Sequence, residues 1–254
     1  MKHIRQFYLL SFVFLTLLTS CTKEWKTTAT TYYKATSADT SSVYNAAKIK
    51  LDITHFEGDD ATSKALNKRI FTAVCNSVYT GEQLADVKNY NDLVNSFVAN
   101  YTQIKAELKQ DSLPSWEAKA TAKINYQTPK LLNVTLEYYI FTGGAHGYGA
   151  TESLLFNPAN GKTYKLPEVF SDAHKLTQLV ETKFRVQLKI PAKSSLTEAG
   201  YFFADDTFVL PKNFIFSDKG IQFHYNTYEV ACYAQGPIDV LISYDEVGDL
   251  FLLQ

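Results

Sequence analysis

Apolar and polar positions along this chain fall into blocks of two different periods. Ile49, Leu51 and Ile53 alternate with Lys50, Asp52 and Thr54, which predicts a strand with one buried face, paired with a Thr- and Tyr-rich strand over Thr27–Lys34. The period then lengthens. Leu66, Ile70, Val74 and Val78 predict one amphipathic helix, stopped near Gly81. Leu93, Phe97, Tyr101, Ile104 and Leu108 predict a second, with Pro114 beyond its end.

From Trp116 the alternation returns. Ala118, Ala120, Ala122, Ile124 and Tyr126 share one predicted face, and a turn at Gln127-Thr128-Pro129 leads to Leu132, Val134, Leu136, Tyr138 and Ile140. A third strand from about Gly149 to Phe156 ends in Asn157-Pro158-Ala159-Asn160-Gly161, so an antiparallel meander is expected. A helix over Asp172–Leu188 follows, carried by Leu176, Val180 and Phe184. Asn213–Phe216 and Ile221–Tyr225 flank the turn Ser217-Asp218-Lys219-Gly220, and Ile238, Val240 and Ile242 mark a last strand before a short closing helix over Tyr244–Phe251. Strands and helices come in blocks, so the expected class is α+β. Antiparallel sheets are packed by three main helices, in two intimately associated subdomains.

The first twenty residues change the picture from fold to address. Lys2 and Arg5 precede an apolar run from Phe7 to Leu18, too short to span a bilayer of roughly 30 Å as a helix, which is the layout of a secretory signal. Leu18-Thr19-Ser20-Cys21 resembles the lipobox of bacterial lipoproteins. That resemblance implies cleavage before Cys21, acylation there, and a short tether over 21–26 at the outer side of a membrane. The expected location is the bacterial envelope, periplasmic or outer-membrane. The formal charge of −1, made slightly more acidic by loss of Lys2 and Arg5, offers nucleic acid no broad attraction. Cys75 and Cys232 then remain; an oxidising compartment allows a disulfide between them, with buried free thiols the alternative.

Candidate chemistry is sparse. Gly143-Gly144-Ala145-His146-Gly147-Tyr148-Gly149 stands at a turn between two strands, where glycines permit positive φ and an exposed imidazole can hydrogen-bond. A bulged hairpin whose histidine serves only the backbone is the competing interpretation. The second cluster, Phe223 to Pro237, includes Tyr228, Tyr233 and the closing Gly236-Pro237, enough aromatic surface to line a groove. His55, His146, His174 and His224 form no metal-ligand spacing, so neither metal nor cofactor is expected. The pairs Asp59-Asp60, Asp205-Asp206 and Asp245-Glu246 are sequence neighbours rather than carboxylates held across a cleft. No G-x-S-x-G elbow exists, leaving an enzyme without nucleophile or base.

The run Gly143–Gly147, the segments Phe156–Lys162, Leu166–Phe170 and Phe214–Gly220, and the stretch Tyr228–Pro237 resemble a bacterial envelope domain. It is similar to the ectodomain of the lysozyme-sensing anti-sigma factor RsiV and to the non-catalytic N-terminal region of the peptidoglycan deacetylase PdaC. The likeness covers roughly residues 27–251, divided into a PdaC-like part, 27–115, and an RsiV-like part, 116–254. It implies a scaffold that binds a lysozyme-like protein or peptidoglycan. Deacetylation and inward signalling are not carried over, because neither the catalytic domain nor a spanning helix is recognised. The expected ligand-binding residues are Gly143, Gly144, His146, Gly147, Tyr148, Tyr228, Tyr233 and Gly236. A cell-wall hydrolase or deacetylase built on His146 and distant carboxylates, and a purely structural lipoprotein, are the alternatives.

Overall fold

The computed structural model describes residues 25–37, 42–80, 86–108 and 112–254. The expected signal over 1–20, the expected lipidation site Cys21 and the expected helix stop at Gly81 lie outside the described residues. Strands β1 (Thr27–Ala35) and β2 (Ala47–Phe56) are followed by helices α1 (Ala61–Val78) and α2 (Tyr90–Leu108). Then come β3 (Trp116–Gln127), β4 (Leu132–Phe141) and β5 (Tyr148–Phe156). A short α3 (Leu166–Val169) and α4 (Ala173–Gln187) lead to β6 (Asn213–Ser217), β7 (Gly220–Tyr225), β8 (Ile238–Ile242) and the closing α5 (Tyr244–Val247). The class is α+β, with one five-stranded sheet, β1-β2-β3-β4-β5, and one three-stranded sheet, β6-β7-β8.

All strand pairs are antiparallel except β2 with β3, which run parallel because α1 and α2 form the crossover between them. The five-stranded sheet therefore runs across the boundary expected at 115/116. Most of β3–β5 shares a core with β1 and β2, while Tyr126 of β3 and Leu155 of β5 face the second core, so this sheet serves both.

The helices sit where their stripes require. Asp60 caps α1 by accepting from the Thr62 and Ser63 amides, a contact worth about 1 kcal/mol, and Leu66, Ile70, Val74 and Val78 are buried. Ala118, Ala120 and Ala122 form a row of small buried side chains along β3, which lets α1 settle closely over β3 and β4. On α2 the predicted stripe holds through Leu93, Phe97 and Tyr101, whereas Leu108 is exposed because the helix outruns the sheet.

The expected single face of β3 does not extend to Tyr126. The register slips between Ile124 and Tyr126, and this bulge turns Tyr126 from the first core to the second, where it stacks on Phe216.

The two sheets meet through side chains that satisfy each other's free backbone edges. Asn133, fully buried on β4, accepts from the Phe216 amide at 3.0 Å and donates to Ser153 Oγ at 2.9 Å. Asn125 donates to the Phe216 carbonyl and Ser153 Oγ to that of Phe214. In return, Asn213 Oδ1 takes the Ser153 amide at 3.0 Å, and Asn226 brackets Thr151, accepting its N–H at 2.7 Å and donating to its C=O at 3.0 Å. Edge groups of β5 and β6 that would otherwise be orphaned are thereby paired.

Candidate functional site

The loop after β4 and the loop after β7 come together at one end of the larger sheet. In the first loop Gly143 and Gly144 hold φ of 110° and 100°, a region that side-chain-bearing residues avoid. Gly147 is required for a different reason. A Cβ there would stand 2.3 Å from the Tyr139 hydroxyl, so the tyrosine ring occupies the place of the missing side chain. In the second loop Tyr228 adopts φ 69°, an uncommon conformation for a bulky residue, and Gly236, at φ 67° and ψ −163°, closes the loop into β8.

These backbones aim three rings at one another. His146 lies on Tyr233 with centroids 4.1 Å apart and planes 20° from parallel. Tyr228 completes the triangle, 6.1 Å from His146 and 5.5 Å from Tyr233. The Tyr228 hydroxyl lies 3.1 Å from His146 Nε2, and His146 Nδ1 lies 3.1 Å from the Gly147 carbonyl. Because a carbonyl only accepts, Nδ1 carries the proton and Nε2 accepts from the phenol. All three rings remain exposed, Tyr228 by 49% and Tyr233 by 45%, so the cluster is a surface and not a piece of core. The imidazole is oriented by a backbone carbonyl and a phenol. Among the described residues no carboxylate is hydrogen-bonded to it as in a catalytic dyad.

Beside Tyr228 an open groove of about 360 Å³ runs between Tyr148, Lys212, Asn226 and Glu229. Its floor is fixed by a polar chain. The buried His224 places Nδ1 2.5 Å from Asp239 and Nε2 3.1 Å from Asn226 Oδ1, the same oxygen that accepts from Thr151. With both ring nitrogens facing acceptors, the imidazolium is the form this setting favours. Burial pushes the His224 pKa down, but the hydrogen bond and charge of Asp239, helped by Asn226 and Glu229, outweigh it and raise the pKa. The hydrogen bond from His224 in turn holds the Asp239 carboxyl below its usual range. Glu229 accepts from the Asn226 amide at 2.8 Å and braces the turn that carries Tyr228.

Of the residues expected from the sequence, His146, Tyr228 and Tyr233 are brought into contact, while Gly143, Gly144, Gly147 and Gly236 shape the loops that carry them. Tyr148 lines the adjoining groove. Sequence reasoning missed Asn226 and Asp239, which have no local signature because each acts on a residue of another element, and Lys212, which lines the groove. The disulfide considered between Cys75 and Cys232 is not formed. Cys75 is buried on the inner face of α1 in the first core and Cys232 is exposed on the β7–β8 loop, and both thiols are free. Among the described residues no group of three or more His, Cys, Asp or Glu side chains is placed to hold a metal ion, and no helix is long and apolar enough to cross a membrane.

Residues 40–148 match the family model described as deacetylase PdaC, and residues 167–245 match that of a protein of unknown function, DUF3298. The chain is thus similar to the PdaC model in its first half and to the DUF3298 model in its second. The first match ends at Tyr148, just past the His146 loop, and the second spans the Tyr228 loop, so the ring cluster joins the two. A DUF3298-family protein of Bacteroides fragilis superposes with a TM-score of 0.66 at 23% identity, over 89% of this chain and 93% of its own. A second, from Pseudomonas aeruginosa, gives a TM-score of 0.61 at 14% identity over 90% and 94%. At these identities the two structures speak for the fold alone. No curated protein matches the chain.

Proposed function

We propose that this chain is a lipid-anchored module of the bacterial envelope that binds a lysozyme-like protein or a cell-wall glycan without chemistry of its own. The contact surface is the His146–Tyr228–Tyr233 cluster with the groove beside it. The observation that carries this reading is the meeting of two loops some eighty positions apart in an exposed ring stack. Holding three large rings at the surface, on a turn with Tyr228 at positive φ, works against folding and is explained by recognition. The resemblance of this chain's sequence motifs to the ectodomain of RsiV, which in that protein binds lysozyme, supports the same reading.

The position of the anchor suits such a role. Thr27 pairs with Phe56 at one end of the sheet, and Tyr148 pairs with Ile140 at the other. A nine-residue strand covers about 30 Å, and the six residues from Cys21 to Thr27 reach at most about 20 Å. A lipid on Cys21 would hold the Thr27 end at the membrane and present the rings outward.

The test is capture of lysozymes and muropeptides by the wild-type chain and by a His146→Ala/Tyr233→Ala variant. Loss of capture with an unchanged melting temperature is expected; undiminished capture by the variant refutes the site. Palmitate labelling that disappears in Cys21→Ser tests the anchor.

A further inference from the structure

The groove beside Tyr228 is not the end of the concave surface along β5. A second groove of about 350 Å³ meets it at Lys212. Its walls are mainly apolar: Leu155 and Val169 are buried at its base, Phe214 and the half-buried Tyr164 close it at the sides, and the partly exposed Leu210 and Leu166 form the rim. Two cations flank this apolar hollow, Lys212 and Lys165, both exposed and both without an ion-pair partner among the described residues. Elsewhere on the surface, lysines such as Lys48, Lys50, Lys119, Lys123 and Lys183 stand in ion pairs with carboxylates.

The backbone beneath is largely closed to a visitor. The Thr151 N–H and C=O are held by Asn226, the Ser153 N–H by Asn213, and the Leu155 C=O by the Tyr164 amide at 2.8 Å. A ligand here is therefore read by its side chains and not by adding a strand to the β5 edge.

We propose that this second groove is a subsite for a peptide segment of a protein partner, taking one apolar side chain into the hollow while flanking carboxylates meet Lys165 and Lys212. The floor is Leu155 and Val169; of the two rings that line the hollow, Phe214 is buried and the half-buried Tyr164 is tied down through its hydroxyl to the Lys130 carbonyl, so it is the two flanking cations that favour an acidic peptide with a leucine-type side chain over a neutral saccharide. The paired cations set the preference for acidic neighbours. The inference rests on the reading of the adjoining ring cluster as a binding face, and extends that face by about 20 Å along β5.

The experiment is fluorescence anisotropy of the full chain in detergent micelles with a fluorescein-labelled Ser-Asp-Leu-Asp-Ser probe. The probe is expected to bind, with Kd raised about tenfold or more in Lys165→Glu/Lys212→Glu and for a probe with Asn in place of both Asp. Both substitutions are at exposed positions, so the fold is kept, and a melting curve checks it. No binding, or equal binding of the Asn probe, overturns the proposal. Displacement by chitotetraose overturns it in favour of a glycan. If lysozyme or muropeptide capture through His146 and Tyr233 is seen while the pentapeptide fails to bind, this inference alone falls and the ring site stands.

Discussion

Replacing Asn133 by alanine cuts the main hydrogen-bonded link between the two sheets. Its side chain is fully buried and makes three contacts: from the Phe216 amide at 3.0 Å, to Ser153 Oγ at 2.9 Å, and a long one to the Leu154 carbonyl at 3.4 Å. Ser153 Oγ keeps its bond to Phe214, so the truncation leaves chiefly the Phe216 N–H without a partner. Such an orphaned buried donor costs about 1–3 kcal/mol, and the small void adds to it, for a total of roughly 2–4 kcal/mol. For a domain of this size that corresponds to a fall in Tm of roughly 4–15 °C. The measurement is urea and thermal unfolding, followed by fluorescence of Trp25 and Trp116, which report the first core, and by near-ultraviolet dichroism of the tyrosines across both. Thr135→Val is the control: its hydroxyl is buried on the same strand with no hydrogen-bond partner among the described residues, so removing it is expected to be neutral or slightly stabilising. A change below about 0.5 kcal/mol for Asn133→Ala, or Thr135→Val as damaging as Asn133→Ala, refutes the assignment of the seam.

Gly147→Ala drives a methyl into the Tyr139 ring and is expected to cost about 1–3 kcal/mol. In a Tyr139→Ala background the same change should become nearly neutral in a thermal melt. The His224–Asp239 pair makes stability depend on pH at both ends. The raised His224 pKa gives stability that is full below its ordinary value of 6.5 and lost as pH rises through the folded value. The lowered Asp239 pKa gives stability present above 3.8 and lost as pH falls. Urea midpoints from pH 4 to 9 should therefore decline as pH rises beyond 6.5 in the wild type and much less in His224→Gln; parallel profiles would count against the pair. In a Cys21→Ser chain, Cys232 should react with a thiol reagent at pH 8 while Cys75, whose pKa burial pushes up to about 11, stays silent until the protein unfolds. Fast native labelling of both thiols contradicts the burial of Cys75.

Much of this molecule is written locally in the chain. Ile49, Leu51 and Ile53, the Leu66–Val78 stripe and the Leu176–Phe184 stripe declare which face is buried, because a side chain's direction follows from the period of its own element. Gly143, Gly144 and Gly236 declare their turns, because φ is a property of one residue. His146, Tyr228 and Tyr233 could be nominated as surface chemistry on the same grounds. What the sequence left open is everything that joins distant segments. The parallel pairing of β2 with β3 depends on the crossover of two helices, and the turning of Tyr126 depends on one extra residue against β4. Asn133, Asn213 and Asn226 look like ordinary polar residues until the opposite sheet brings an unpaired amide to each. The stacking of His146 on Tyr233 is likewise decided by the seam of asparagines that docks one sheet on the other. Local periodicity records burial, whereas complementarity between remote surfaces leaves no period to read.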